Sequence, residues 1–249
     1  MRDILEAYYH NRNQNEDFST PDPLIVVRRY VTHPCFELIA LACALFSYGR
    51  ADSIVKFLQK LDFNLLQTDL ATIKKANFPK YRFQSSQDIK EFFCILFKVH
   101  QSGGIKSIMI EGYKKDGIFG AINAGIDKLY GEWDCLQNSK GMKHLLSTPI
   151  PLDTLNSSPK KRWNLFLRWM VRKDLIDFGL WEEIPTRDLI LPLDTHIFSI
   201  CKKLKLSRGN TPNLKFAVSA TQSLKKFDSN DPVKYDFALY RIGQEKQQF

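Results

Sequence analysis

Apolar residues recur along this chain at steps of three and four, and no alternating run faces a partner across a hairpin turn. A chain patterned this way buries its stripes helix against helix, so the expected fold class is all-α. Residues 24–31 and 35–48 carry the helical spacing, with Gly49 as the expected C-terminal cap of the second. Ile54, Phe57, Leu58 and Leu61 repeat it over 51–61. Ile89, Phe92, Phe93, Leu96 and Phe97 do so over 86–100, where Ser85 or Ser86 is the expected N-cap. Gly103-Gly104 breaks the chain before a short helix over 105–114 and another near 117–130. A short helix within GMKHLL then leads into the loop STPIPLDTLNSSP. The segments 212–226 and 232–243, each with a proline near its first turn, are the expected last helices.

Composition narrows the classes of function. Apolar residues make up 44% of the 249 and no run nears about 18 consecutive ones, so no membrane span is expected. The polar, acid-containing N-terminus reads as neither a secretory signal nor a transit peptide, which makes the cytoplasm the expected location. The formal charge of +9 favours phosphate-rich partners, although ribosomal and membrane-surface proteins share such a surplus. Cys35, Cys43, Cys94, Cys135 and Cys201 are odd in number and none is spaced C-x-x-C, against both a disulfide framework and a metal or iron–sulfur site. The apolar neighbours of Cys35, Cys43, Cys94 and Cys201 suit core packing.

The stretch KKRWNLFLRWMVRKD is apolar around most of a helical circumference, the mark of a buried helix. Its polar residues Lys161, Asn164, Arg168 and Arg172 are spaced three, four and four apart, which at roughly 100° per residue lines one narrow face. Cations in a row on a buried helix repel each other unless anions meet them. Internal acids such as Asp174, Asp177 or Glu182 are one source of anions, and a nucleic-acid phosphate is another. Lys160, Lys161 and Arg162 also crowd the start of the helix, where cations oppose the macrodipole and a bound phosphate would relieve them. Crowding and partial burial lower a lysine's pKa, and a neutral amine can attack an electrophilic carbon. Further on, Asp194 in PLDTH is placed to cap the next amphipathic helix. The same fixed carboxylate can stabilise a sugar cation or manage a proton.

PLDTHIFSICKKLKL resembles the V-D-T-H-V-x-R-x-x-x-R-L segment of endonuclease III-like DNA glycosylases. KRWNLFLRWMVRKDLIDFGLW with LILPLDTHIF, together with DPLIVVRRY, ALFSYGR, YRF and DPVKYDFALYRIG, is similar to a bacterial family long described as of unknown function within the helix-hairpin-helix glycosylase clan. The resemblance runs from about residue 21 to 243. Its active-site pattern is similar to that of archaeal 8-oxoguanine glycosylase, which aligns Lys161, rather than the adjacent Lys160, with that family's lysine. Two departures stand out. The hairpin loop PIPLDTLNSSP lacks the glycines that hold a phosphate, and the four cysteines of an iron–sulfur cluster are absent.

The resemblance implies two helical lobes with a cleft between them. Residues 24–175 would form a central lobe including the hairpin at about 141–172, and 1–23 with 176–249 a second lobe. It implies a monomeric, nucleoid-associated base-excision-repair enzyme without cofactor or metal, acting on double-stranded DNA with a damaged base, 8-oxoguanine first. Lys161 would attack the sugar C1′ and Asp194 would support it. The Schiff base formed would then eliminate the 3′ phosphate, as an AP lyase does. Lys160, Arg162, Asn164, Arg168, Arg172 and His196 are the expected DNA-binding or supporting residues. Trp163 and Trp169 either stack on the turned-out base or fill the core. A monofunctional alkyl-base glycosylase using Asp194 and water, and a DNA-binding module without catalysis, are the alternatives.

Overall fold

The computed structural model describes residues 1–16, 19–133 and 138–244. Cys135, one of the residues considered above, lies outside them. Among the described residues the regular structure is helical. In chain order it comprises α1 (Arg2–Asn15), α2 (Leu24–Val27), α3 (Phe36–Leu45), α4 (Ala51–Leu58), α5 (Leu70–Lys75), α6 (Ser86–Gln101), α7 (Lys106–Glu132), α8 (Lys140–Leu146), α9 (Lys161–Val171), α10 (Thr195–Lys203), α11 (Leu214–Lys225) and α12 (Asp236–Gln244). Extended pairing among these residues is confined to two isolated bridges, Tyr81–Gln84 and Lys173–Phe178. No helix is long and apolar enough to cross a membrane among the described residues.

The chain divides into two compact units, Thr20–Pro149 and Met1–Ser19 with Ile150–Phe249. The expected division at 175 is therefore corrected to Pro149–Ile150. Helix α9 goes with the terminal segments because its arginines bond to acids of the C-terminal region, as described below. The expected hairpin of 141–172 is shared out accordingly. Helix α8 belongs to one unit and α9 to the other, with residues 147–160 forming turns but no helix between them.

In the Thr20–Pro149 unit, α3 is buried almost all round, with Ile39 through Leu45 at 0% exposure. It stops at Leu45, before the expected Gly49, which takes φ +105 in the following loop. Phe46 meets Phe57, Tyr81 and Phe92 edge to face. Helix α6 starts where its sequence says it should: Ser85 and Asp88 form a reciprocal capping box. It packs against α5, α7 and α8. Helix α7 spans the two helices expected over 105–114 and near 117–130, which stay distinct across a kink. Its backbone breaks at Asp116 and at Gly117, where φ is +62. The break lets Gly112 and Gly120 approach so closely that a Cβ on Gly112 would lie 2.4 Å from the Gly120 carbonyl oxygen.

In the other unit, α10 and α1 both pack on α12. Helix α1 reads as polar chain but is anchored by Leu5, fully buried, and by Glu6, which accepts from the Tyr235 hydroxyl and pairs with Lys234 at 3.0 Å. Residues Trp163 to Val171 of α9 are all buried, as the near-continuous apolar circumference predicts.

Candidate active site

Helix α9 begins abruptly. Lys160 takes left-handed φ 51 and ψ 35, and no side chain caps the helix start. Lys160 is 4% exposed, and burial, with Arg162 adding to it, pushes its amine down to about 8. Lys161 and Arg162, the next two residues, are half-buried. Asn164 is buried one turn on, where its side-chain amide donates to the Pro159 carbonyl at 3.0 Å.

The two arginines of the stripe meet anions, but these come from the protein. Arg168 Nε donates to Asp177 at 3.1 Å, and its Nη1 donates to Asp236. Arg172 Nε and Nη2 grip Asp231 at 2.9 and 3.0 Å, Nη2 lies 3.0 Å from Asp174, and Nη1 donates to Asp177. Each guanidinium is 4% exposed. The carboxylates raise both arginines above their ordinary range, against the cost of burial. Of the two sources of anions expected for Arg168 and Arg172, internal acids and a phosphate, the structure shows internal acids. Lys160 and Asn164 are too buried to serve as surface phosphate contacts. Trp163 and Trp169 are each 1% exposed and so are core residues, not a stacking surface for a base.

Asp194 is the N-cap of α10. One carboxylate oxygen accepts from the backbone N–H groups of His196 and Ile197, both at 2.9 Å. The other takes no hydrogen bond among the described residues. The His196 side chain is exposed, so this residue holds Asp194 through its main chain alone.

Asp236 was not singled out from the sequence. It stands in the first turn of α12 at 5% exposure. Burial pushes its carboxyl up to about 6 against the pull of Arg168; Asp194 pushes the same way and Lys161 pulls back. Cys201 of α10 is fully buried beside the same acids. Burial, then Asp236 and Asp194, hold its thiol up at about 12, so it packs as a neutral group. A single buried carboxyl thus feels both an amine from the start of α9 and the cap carboxylate of α10, all within one unit. An amine, a fixed carboxylate and a second acid with a displaced pKa together can carry nucleophilic attack and proton transfer. Nothing but a lone DF step in KYDFALYRIG marks Asp236 in the sequence, since an acid in a first turn is commonplace.

Among the described residues no group of three or more His, Cys, Asp or Glu side chains could hold a metal ion. Over residues 22–245 the chain matches the family model described as a protein of unknown function, DUF2400. The chain belongs to the DUF2400 family. No curated protein and no solved structure matches it. The DUF2400 match takes in α2 through α12, and so contains Lys161, Asp194 and Asp236 together.

Proposed function

We propose that this DUF2400 chain is a DNA glycosylase of the helix-hairpin-helix superfamily with AP lyase activity, removing an oxidised base, 8-oxoguanine first. The observation that carries the reading is the shared influence of Lys161 and Asp194 on buried Asp236. Amine and cap carboxylate both act on that one carboxyl, which supports their working together. The charge of +9 suits a polyanionic substrate.

In this reading the neutral Lys161 amine forms a bond to C1′ as the bond from C1′ to the base nitrogen breaks. The departing base takes up a proton. Asp194 spends one oxygen on the helix cap and keeps the other for the sugar cation or for the proton the amine sheds. The amine sheds its proton, the C1′–O4′ bond breaks as O4′ takes up a proton, and loss of a C2′ proton from the resulting Schiff base then expels the 3′ phosphate. Arg168, itself bonded to Asp177, holds Asp236. Lys160 is the other amine at this helix start. At about 8 it would be about one-tenth neutral at pH 7. Lys161 is the amine that acts on Asp236, which favours it.

The test is borohydride trapping on a panel of duplexes with one lesion each. The expected result is a covalent protein–DNA adduct on the 8-oxoguanine duplex, lost in Lys161→Gln and kept in Lys160→Gln. An adduct lost only in Lys160→Gln moves the amine by one residue. Base release without an adduct replaces attack by Lys161 with a water mechanism on Asp194. No release from any duplex refutes the enzyme.

A further inference from the structure

The Thr20–Pro149 unit carries an aromatic and basic cluster that the proposed chemistry does not use. Three separate segments build it: SYGR at 47–50, KYRFQ at 80–84 and SKGMKH at 139–144. Phe83 is 60% exposed, an unusual position for a large apolar ring. Its ring lies parallel to that of Tyr48, at 9° and 6.2 Å between centroids. His144 packs against both rings, at 4.9 Å from Tyr48 and 4.8 Å from Phe83. The Arg82 guanidinium stands 5.8 Å from the Tyr48 centroid and 5.7 Å from that of Phe83.

Buried polar bonds lock this cluster in place. Tyr81 and Gln84 exchange backbone hydrogen bonds at 3.0 and 2.8 Å, so Arg82 and Phe83 form the tip of a two-residue turn. Arg82 takes φ +48 there, a conformation that favours glycine. Gln84, 1% exposed, accepts from the Tyr48 hydroxyl and donates to the Gly141 carbonyl at 2.8 Å. The Tyr81 hydroxyl donates to the Tyr48 carbonyl at 2.6 Å. A strained turn whose tip is an exposed Arg-Phe pair, backed by buried hydrogen bonds, is a rigid presenting surface.

The acid that meets the cluster, Asp88, is buried at 6% exposure and bonded to Ser85 and Ser139, so the exposed charge of the three segments is basic. The three segments hold Arg50, Lys80, Arg82, Lys140 and Lys143 and no acid. Parallel rings offer a flat partner to another ring, and the flanking cations suit a phosphodiester chain. We infer that Tyr48, Phe83, His144 and Arg82 form a binding site for single-stranded DNA, on which one unpaired base stacks against Phe83 while Arg82 meets the adjoining phosphate. This site lies beyond the glycosylase reading and needs neither Lys161 nor Asp194; it rests on that reading only for DNA as the nucleic acid.

The experiment uses the full chain and a single-stranded oligothymidylate with one internal 2-aminopurine, whose fluorescence falls on stacking. The expected result is quenching and binding by the natural protein, weaker binding of the same sequence as a blunt duplex, and a loss of about tenfold (~1.4 kcal/mol) with loss of quenching in Phe83→Ala. Phe83→Trp restores both. Arg82→Ala lowers the slope of log affinity against log salt by about 0.7, one phosphate contact. Borohydride adduct formation on the lesion duplex is unchanged in Phe83→Ala. Equal quenching by the natural protein and Phe83→Ala overturns the inference, as does absence of single-strand binding. Single-strand binding that depends on Phe83, with no adduct on any lesion duplex, refutes the glycosylase reading and leaves this site standing.

Discussion

Replacing Arg168 with methionine isolates what the buried charge network contributes. Methionine keeps the stem's bulk and removes the cation between Asp177 and Asp236. Asp177 retains Arg172, but Asp236 loses its only ion pair among the described residues while staying buried. Breaking a buried pair from one side costs about 3–5 kcal/mol, because the remaining charge is uncompensated. For a chain of this size each kcal/mol moves the melting temperature by about 2–4 °C, so a fall of about 6–20 °C is expected by circular dichroism. The pH dependence follows from Asp236. Its folded-state carboxyl already lies at about 6, above an unfolded value of about 3.9, and removing Arg168 raises it further. A raised folded pKa means the folded form binds the extra proton; the unfolded chain titrates alike in both proteins, so the gap is largest above the variant's raised pKa and fades as pH falls toward about 6, the natural protein's own value. The gap between Arg168→Met and the natural protein should therefore be wide at pH 8 and narrow at pH 5. Adding Asp236→Asn should recover part of it at pH 8. A loss below about 1 kcal/mol, or a gap constant across that range, would refute the account of the network.

Three further outcomes are expected. Asp194→Ala should lose about 1 kcal/mol of stability with the α10 cap, while Asp194→Asn keeps the cap and stability but abolishes the trapped adduct; thermal melting and trapping separate the two roles. Lys160→Met should stabilise the protein at pH 7 by removing a buried amine. Because its folded pKa lies below its unfolded one, the gain should shrink as pH rises through about 8 towards 10.5, as read by urea denaturation at several pH values. Gly141→Ala should cost about 1–3 kcal/mol, since the new Cβ would lie 2.6 Å from both the Asp88 carboxylate and the Phe83 carbonyl; an unchanged denaturation midpoint would show that α8 shifts freely.

What could be read from the sequence was whatever local chemistry determines. The cap at Ser85 or Ser86, the cap at Asp194 and the break at Gly103-Gly104 each depend on a few neighbouring residues; the structure puts the first at Ser85 and keeps the other two. The burial of α9 was equally plain from its apolar circumference. Repulsion along its stripe did demand anions, and Asp174 and Asp177 were near enough in sequence to be considered. Asp231 and Asp236 were not, lying 59 and 68 residues from the arginines they bind. Helix α1 escaped notice for the same reason, since its anchor joins Glu6 to Tyr235 across 229 residues. The Tyr48 and Phe83 cluster comes from loops, where periodicity carries no signal.

The basic residues of α9 are present for two different physical reasons, and position along the helix separates them. Arg168 and Arg172 lie toward its C-terminal end, where the dipole favours cations and where fixed, always-charged guanidinium forks can span several carboxylates. That end needs charge permanence, and arginine supplies it. In the proposed glycosylase reading the N-terminal end needs the opposite property. There the dipole and clustered cations work against protonation, and lysine, unlike arginine, can yield its proton at ordinary pH. Lys160 is held near 8 by burial first and by Arg162 second. An arginine at 161 would preserve charge and phosphate attraction but could not become a neutral nucleophile. Lys161→Arg therefore distinguishes chemistry from binding at this position: retained DNA affinity with no trapped adduct is what the amine's role requires, and a surviving adduct would remove it.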